Sequence, residues 1–295
     1  MFAEVTVAVR TIRGLLALAW LVLPLSAQSL AHFVPAEVAP GTGSVELRFV
    51  RESTHAVEFQ PWPAGEIGWL FVRGEGTQSN YDALTPLAAD ATRLSLELEG
   101  PGPLLVGWDL PPRVEPMHPV VLRIFTGERS HDRSVPRAVQ TLAENRTVPV
   151  LRLESLALVV GTPAGAVSAG PSAVAISKAG LRMELRALLD PGSLAPGSDL
   201  PFRLYLPEGG REDVLVRCVH LESGATQALT LAQDGGVRAR PDRPGAWMLE
   251  ATRVRALDAS PAVQGAALEL ASTTLVFVVP AAAVEKQGEK QKDKR

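Results

Sequence analysis

Apolar and polar side chains alternate with period two in run after run of this chain, the spacing that turns one face of a β-strand to a core and the other to water. Residues 181–279 carry the clearest runs. Leu181, Met183, Leu185 and Ala187 oppose Arg182, Glu184 and Arg186, and Phe202, Leu204 and Leu206 oppose Arg203 and Tyr205. Trp247, Leu249 and Ala251 oppose Met248, Glu250 and Thr252, and Leu275, Phe277 and Val279 oppose Thr274 and Val276. Turn formers stand between the runs: Asp190-Pro191-Gly192, Pro196-Gly197, Asp234-Gly235-Gly236 and Pro244-Gly245. That rhythm predicts a β-sandwich. The same period returns earlier in Val45, Leu47 and Phe49, in Leu94, Leu96 and Leu98, and in Val120, Leu122 and Ile124. The expected fold class is all-β: two consecutive antiparallel β-sandwich domains, immunoglobulin-like or transthyretin-like, over residues 32–147 and 181–280.

The connections read differently. Residues 130–147 are polar and suggest a surface excursion. Residues 151–160 are apolar without a clean period, which leaves helix and strand both open. Residues 161–180 are rich in Ala, Gly, Ser and Pro, so 148–180 reads as a connecting segment ending in a flexible linker. Residues 281–295 are dominated by charge, as in a disordered tail.

At the other end, residues 1–31 have the make-up of a secretory leader. Arg10 and Arg13 supply positive charge, residues 15–25 an apolar run too short to cross a membrane comfortably, and Ser29-Leu30-Ala31 a small-residue cleavage site. A cut after Ala31 makes His32 the first mature residue. The product is then periplasmic or secreted, with no stable membrane anchor.

Composition narrows the partners. The 295 residues, 46% of them hydrophobic, suffice for a sizeable core. A formal net charge of -3 offers no basic excess for neutralising phosphates, which argues against nucleic acid. With Cys218 alone, no intramolecular disulfide forms, so an exported chain depends on core burial for its stability.

An ordered set of short motifs points to a family. It comprises Ala31-His32-Phe33, a strand near His55 and Phe59, Gly107-Trp108 ahead of Pro111-Pro112, and Leu153-Glu154-Ser155-Leu156 leading to Gly161. Asp190-Pro191, Asp234-Gly235-Gly236, Gly245-Ala246-Trp247 and Ser272-Thr273-Thr274-Leu275 follow in the second half. Together these resemble the periplasmic family catalogued as domain of unknown function 4198, whose members are often linked with nickel or cobalt uptake systems. The resemblance implies an envelope accessory protein working beside a metal-uptake transporter or another envelope protein.

The sharpest chemical expectation concerns His32. As a mature N-terminus it offers an α-amine and an imidazole nitrogen to one ion, and a further imidazole completes a nitrogen site suited to nickel, cobalt or copper. His55 is the closing ligand that the resemblance favours; His118 and His131 are the other imidazoles of the first domain. Weaker signals have simpler readings. Met117-His118-Pro119 fits a plain turn, His131-Asp132 a solvated loop, and Cys218 with His220 a buried thiol and a strand-end imidazole. Trp247 reads as a core anchor, while Trp62, Trp69 and Trp108 fit either a ligand surface or the core. Asp234-Gly235-Gly236 lacks the carboxylates of a calcium loop. Phosphate loops, nucleophile elbows, zinc cysteine pairs and zinc-protease helices are all absent from the sequence, so a non-enzymatic protein is expected. The competing reading is a structural or adhesive β-sandwich module that binds a protein or polysaccharide without metal.

Overall fold

The structure is a computed structural model, and it describes residues 30–36, 44–52, 57–63, 65–84, 92–97, 103–129, 135–161, 171–206, 210–211, 213–257 and 265–281. In chain order the first strands are β1 (Ala31–Phe33), β2 (Ser44–Leu47), β3 (Phe49–Glu52), β4 (Val57–Phe59), β5 (Gly65–Arg73), β6 (Gln78–Leu84), β7 (Leu94–Glu97), β8 (Leu104–Asp109) and β9 (Arg113–Met117). Helices α1 (Pro119–Arg129) and α2 (Arg137–Gln140) precede β10 (Val148–Val160) and β11 (Glu184–Ala187). The chain then continues through β12 (Leu200–Tyr205), β13 (Val214–His220), β14 (Thr226–Leu229), β15 (Gly236–Ala239), β16 (Gly245–Ala256) and β17 (Leu268–Val279). The fold is all-β with sheets packed face to face, as the alternation predicts.

One large sheet organises the molecule. Its strands run β14-β13-β16-β17-β10-β8-β5-β6, with β9 beside the first half of β10. Strands from both halves of the chain therefore share it. The seam is β10 with β17, paired in parallel from Val150↔Leu268 to Leu158↔Val276, whereas the other pairings described are antiparallel. Residues 151–160, open between helix and strand by sequence, are strand throughout.

Each face of this sheet is covered. On one face, Phe71, Ala157, Trp247, Leu249, Leu275 and Phe277 pack against Leu185, Leu200, Phe202, Leu204 and Val237 of the sheet β11-β12-β15. On the other, Leu70, Trp108, Leu156, Leu158, Met248 and Val276 pack against Phe33, Phe49, Val45 and Leu96 of the small sheets β1-β3-β4 and β2-β7. Trp62 and Trp108 stack with centroids 4.8 Å apart, and Phe49 meets Trp108 edge-on at 5.0 Å. These two tryptophans are therefore core. Trp69 is part-buried beside them in sequence but on the first face, where it packs on Phe71.

A single glycine lets two strands meet. A Cβ on Gly107 would lie 2.3 Å from the Phe71 ring, so any other residue there would push that ring out of the core.

Three sequence expectations change. Residues 120–124 are helical rather than strand: Val121, Leu122 and Phe125 are buried while Val120 and Ile124 are exposed, a helical stripe that also reads as alternation over five residues. Pro119 at the first helical position suits that start. Within the expected flexible linker, residues 171–180 form turns whose Val174, Ala175 and Ala179 enter the core beside β11; residues 162–170 lie outside the described residues. Finally, the polar sides of β16 and β17 do not face water. Glu250 is 1% exposed and Thr252 0%, because the N-terminal sheets and α1 cover that face. Residues 1–29 of the expected 1–31 leader, residues 130–134 and the expected tail from 282 also fall outside the described residues.

Candidate functional site

The buried polar positions form a belt. Along β10, the side chains that share a face with Val150 at one end and Leu156, Leu158 and Val160 at the other are Arg152 and Glu154. β17 repeats this with Ser272 and Thr274 between Leu270 and Val276, and β16 with Glu250 and Thr252 between Met248 and Val254. The register aligns them: Glu154 with Ser272 with Thr252, and Thr274 with Glu250 with Arg217. Beyond the belt lies a third apolar cluster, in which Leu30, Met117, Leu122, Phe125, Val150 and Leu268 meet.

Glu154 is the centre of the belt. Arg51 of β3 grips its carboxylate with two hydrogen bonds of 3.1 Å, Arg113 of β9 donates at 2.9 Å and Arg152 at 2.9 Å. Arg152 also donates to Glu115 at 2.8 Å. Burial alone would raise the Glu154 carboxyl, but Arg152, Arg51 and Arg113 together hold it below the usual carboxylate range. Three guanidiniums and two carboxylates thus tie β3, β9 and β10 together. Their fixed forks suit such bidentate grips. On the opposite face of the same sheet, Arg253 and Arg255 close on Glu269 at 2.7–2.9 Å and hold it below its ordinary value against the effect of burial.

A second buried polar group joins the chain halves. Asp109, at the end of β8, accepts hydrogen bonds from the Ser155 hydroxyl at 2.5 Å and from the Arg182 backbone N–H at 2.9 Å. The Ser155 hydroxyl oxygen also accepts from the Met183 N–H. Desolvation outweighs these bonds and raises the Asp109 carboxyl. Nearby, Glu184 accepts from the N–H groups of Ala179 and Gly180, both at 2.7 Å. These carboxylates do the work of caps on the turn at 171–183, with backbone amides as their partners.

His32 lies in β1, opposite Val50, and is 4% exposed. Its strand neighbours Ala31 and Phe33 face the large sheet together with Arg51 and Phe49, so the His32 ring is on the far side of β1 from Glu154. His55 and His131 lie outside the described residues. Among the described residues no three His, Cys, Asp or Glu side chains gather as metal ligands would. His118 acts at a helix start: its Nδ1 accepts from the Val120 N–H and its carbonyl from the Leu122 N–H, while Met117 is buried in the third cluster.

The second half repeats this structural use of polar groups. The Cys218 thiol is fully buried and pushed up to about 12 by desolvation, so it stays protonated and inert. The His220 ring packs tilted against Trp247, with centroids 4.9 Å apart. Its Nε2 meets the Pro244 carbonyl at 3.2 Å, which requires a proton on Nε2 and leaves Nδ1 to accept from the Ser223 hydroxyl at 2.8 Å. Both ring nitrogens are thereby engaged. Asp234 accepts from the Gly236 N–H and from Arg203, which makes a turn of the Asp-Gly-Gly motif.

The outer surface offers a different feature. Val34, Pro35 and Ala36, which continue β1, form a shallow groove of about 290 Å³ with Glu46, Arg48 and Phe59. Phe59 is 48% exposed, and the Arg48 guanidinium sits 5.3 Å from its ring centroid. The only sequence signal for it is Phe59 at a strand end. No protein-family model and no curated protein matches the chain. Among the described residues no helix is long and apolar enough to cross a membrane.

Proposed function

We propose that this is an exported, non-enzymatic accessory protein of the cell envelope that engages another envelope protein through the groove beside β1. One observation carries the reading: a large aromatic ring, half out in water, is held in place by a guanidinium on a sheet whose other face is locked into the core. Aromatic and arginine side chains are the residues that most often anchor protein interfaces. A rigid mount means that little ordering entropy is lost when a partner binds. The belt around Glu154 supports that rigidity, because Arg51 joins the groove's sheet to β10. The resemblance to envelope proteins of nickel and cobalt uptake supports the same role and suggests a transporter subunit as partner.

The test is site-specific photo-crosslinking from position 59 in the exporting host. A single envelope protein should be trapped, and its capture should fall by at least about tenfold with Arg48→Glu, the loss expected when one interface anchor worth about 1.4 kcal/mol is removed. Unchanged capture by Arg48→Glu would remove the groove from consideration. Titration with nickel, cobalt and copper belongs beside it: tight uptake abolished by His32→Ala would put metal capture ahead of partner binding.

A further inference from the structure

The folded body begins earlier than the leader pattern suggests. Leu30 is 3% exposed and sits among Met117, Leu122, Phe125 and Val150, and Ala31 is 1% exposed. Ala31 pairs with Arg51 across the β1–β3 ladder, and its carbonyl accepts a hydrogen bond from the Thr274 hydroxyl at 3.3 Å. Val34 N–H donates to the Arg48 carbonyl at 2.9 Å, so two residues back in the same register His32 and Val50 occupy the next hydrogen-bonding position of the ladder.

A cut after Ala31 would work against all of this. It would delete Leu30 and leave a void in the third cluster. It would also turn the His32 nitrogen into an ammonium on a residue that is nearly inaccessible to water, in the strand next to Arg51. The sequence offers another small-residue pair two residues upstream: Ala27-Gln28-Ser29 places small side chains at the third and first positions before the Ser29–Leu30 bond.

We infer that export processing cuts the chain at or before the Ser29–Leu30 bond, so that Leu30 and Ala31 remain in the mature protein as core residues. The inference rests on the leader reading. The step is hydrolysis by the host's leader peptidase: water adds across one peptide bond, leaving a carboxylate on the leader and an amine on the mature chain. A consequence follows for metal chemistry. The His32 nitrogen remains a peptide amide in the sheet, and no amine–imidazole chelate forms at that residue.

Intact mass and N-terminal peptide sequencing of the protein exported with its own leader decide the matter. A mature chain starting between Ser26 and Leu30 is expected. A start at His32 overturns the inference and leaves the leader reading standing, whereas retention of Met1 overturns both. A stability comparison adds a second readout: the chain made to begin at His32 should melt roughly 5–10 °C below one beginning at Gln28. Equal melting temperatures would show that Leu30 and Ala31 contribute nothing to the fold, which also overturns the inference.

Discussion

The two faces of the large sheet are buried by different means. Under β11-β12-β15 a single continuous apolar cluster runs from Phe71 and Ala157 through Leu249 to Phe277 and Phe202, and the buried polar groups of that face, Asp109 with Ser155 and Arg253 with Glu269, do not divide it. Under β1-β3-β4 an apolar cluster stops at Leu156 and Val276, a belt of charge and hydroxyls intervenes, and a second apolar cluster begins at Val150 and Leu270. Apolar contact is tolerant of register, since one branched side chain substitutes for another with modest cost. A buried carboxylate gripped by three guanidiniums is not. If β3 slips by one residue, Arg51 leaves Glu154 and a charge is stranded. The first face supplies cohesion. The second fixes how the N-terminal strands dock.

This contrast is open to attack by mutation. The largest effect should come from Glu154→Gln, which keeps the shape but leaves Arg51, Arg113 and Arg152 facing one another. A loss of about 3–5 kcal/mol in urea unfolding is expected. A loss under about 1 kcal/mol would mean that water satisfies the belt, and the contrast between the faces would collapse. Next comes Leu249→Ala on the apolar face, expected to cost about 3 kcal/mol by opening a cavity, with no change in the pH dependence of stability.

The smallest effect is that pH dependence itself, and its sign differs between groups. Glu154 and Glu269 sit below their ordinary 4.5 in the folded chain, so below that pH the unfolded chain takes up protons first. Their contribution is present above 4.5 and is lost as pH falls through their folded values. Asp109 sits above its ordinary 3.8, so its contribution is present below 3.8 and is lost as pH rises through the folded value. Unfolding free energies measured from neutral pH into acid should therefore fall for the wild type, fall less for Glu154→Gln, and fall more steeply for Asp109→Asn. An identical acid slope in wild type and Glu154→Gln would show that the Glu154 carboxyl is not held down by its arginines.

Period-two alternation was enough to recover the all-β class and most late strands, because one side of β11, β12 and β16 packs into a shared apolar cluster. It misread 120–124, where a helical stripe of Val121, Leu122 and Phe125 coincides with alternation over a window too short to separate the two periods. It left β10 undecided for a related reason. A strand buried on both faces has no polar side to alternate with, and its two charges, Arg152 and Glu154, sit in the middle of an apolar run.

The functional residues were legible to different degrees. The buried readings of Cys218 and Trp247 and the strand-end reading of His220 were open to sequence because their strand neighbours are apolar. The groove at Phe59 was not, since it joins residues that follow β1, Glu46 of β2, Arg48 between β2 and β3, and Phe59 of β4, which have no common pattern.

Local chemistry along the chain, side-chain period and turn formers, thus determined that strands form and roughly where. Which strands meet, that β10 runs parallel to β17, and that Glu250 and Thr252 are dry were decided only in three dimensions. The physical reason is that a side chain's polarity fixes what it costs to bury, whereas its partners come from strands far along the chain, as Arg51 does for Glu154 at a separation of 103 residues.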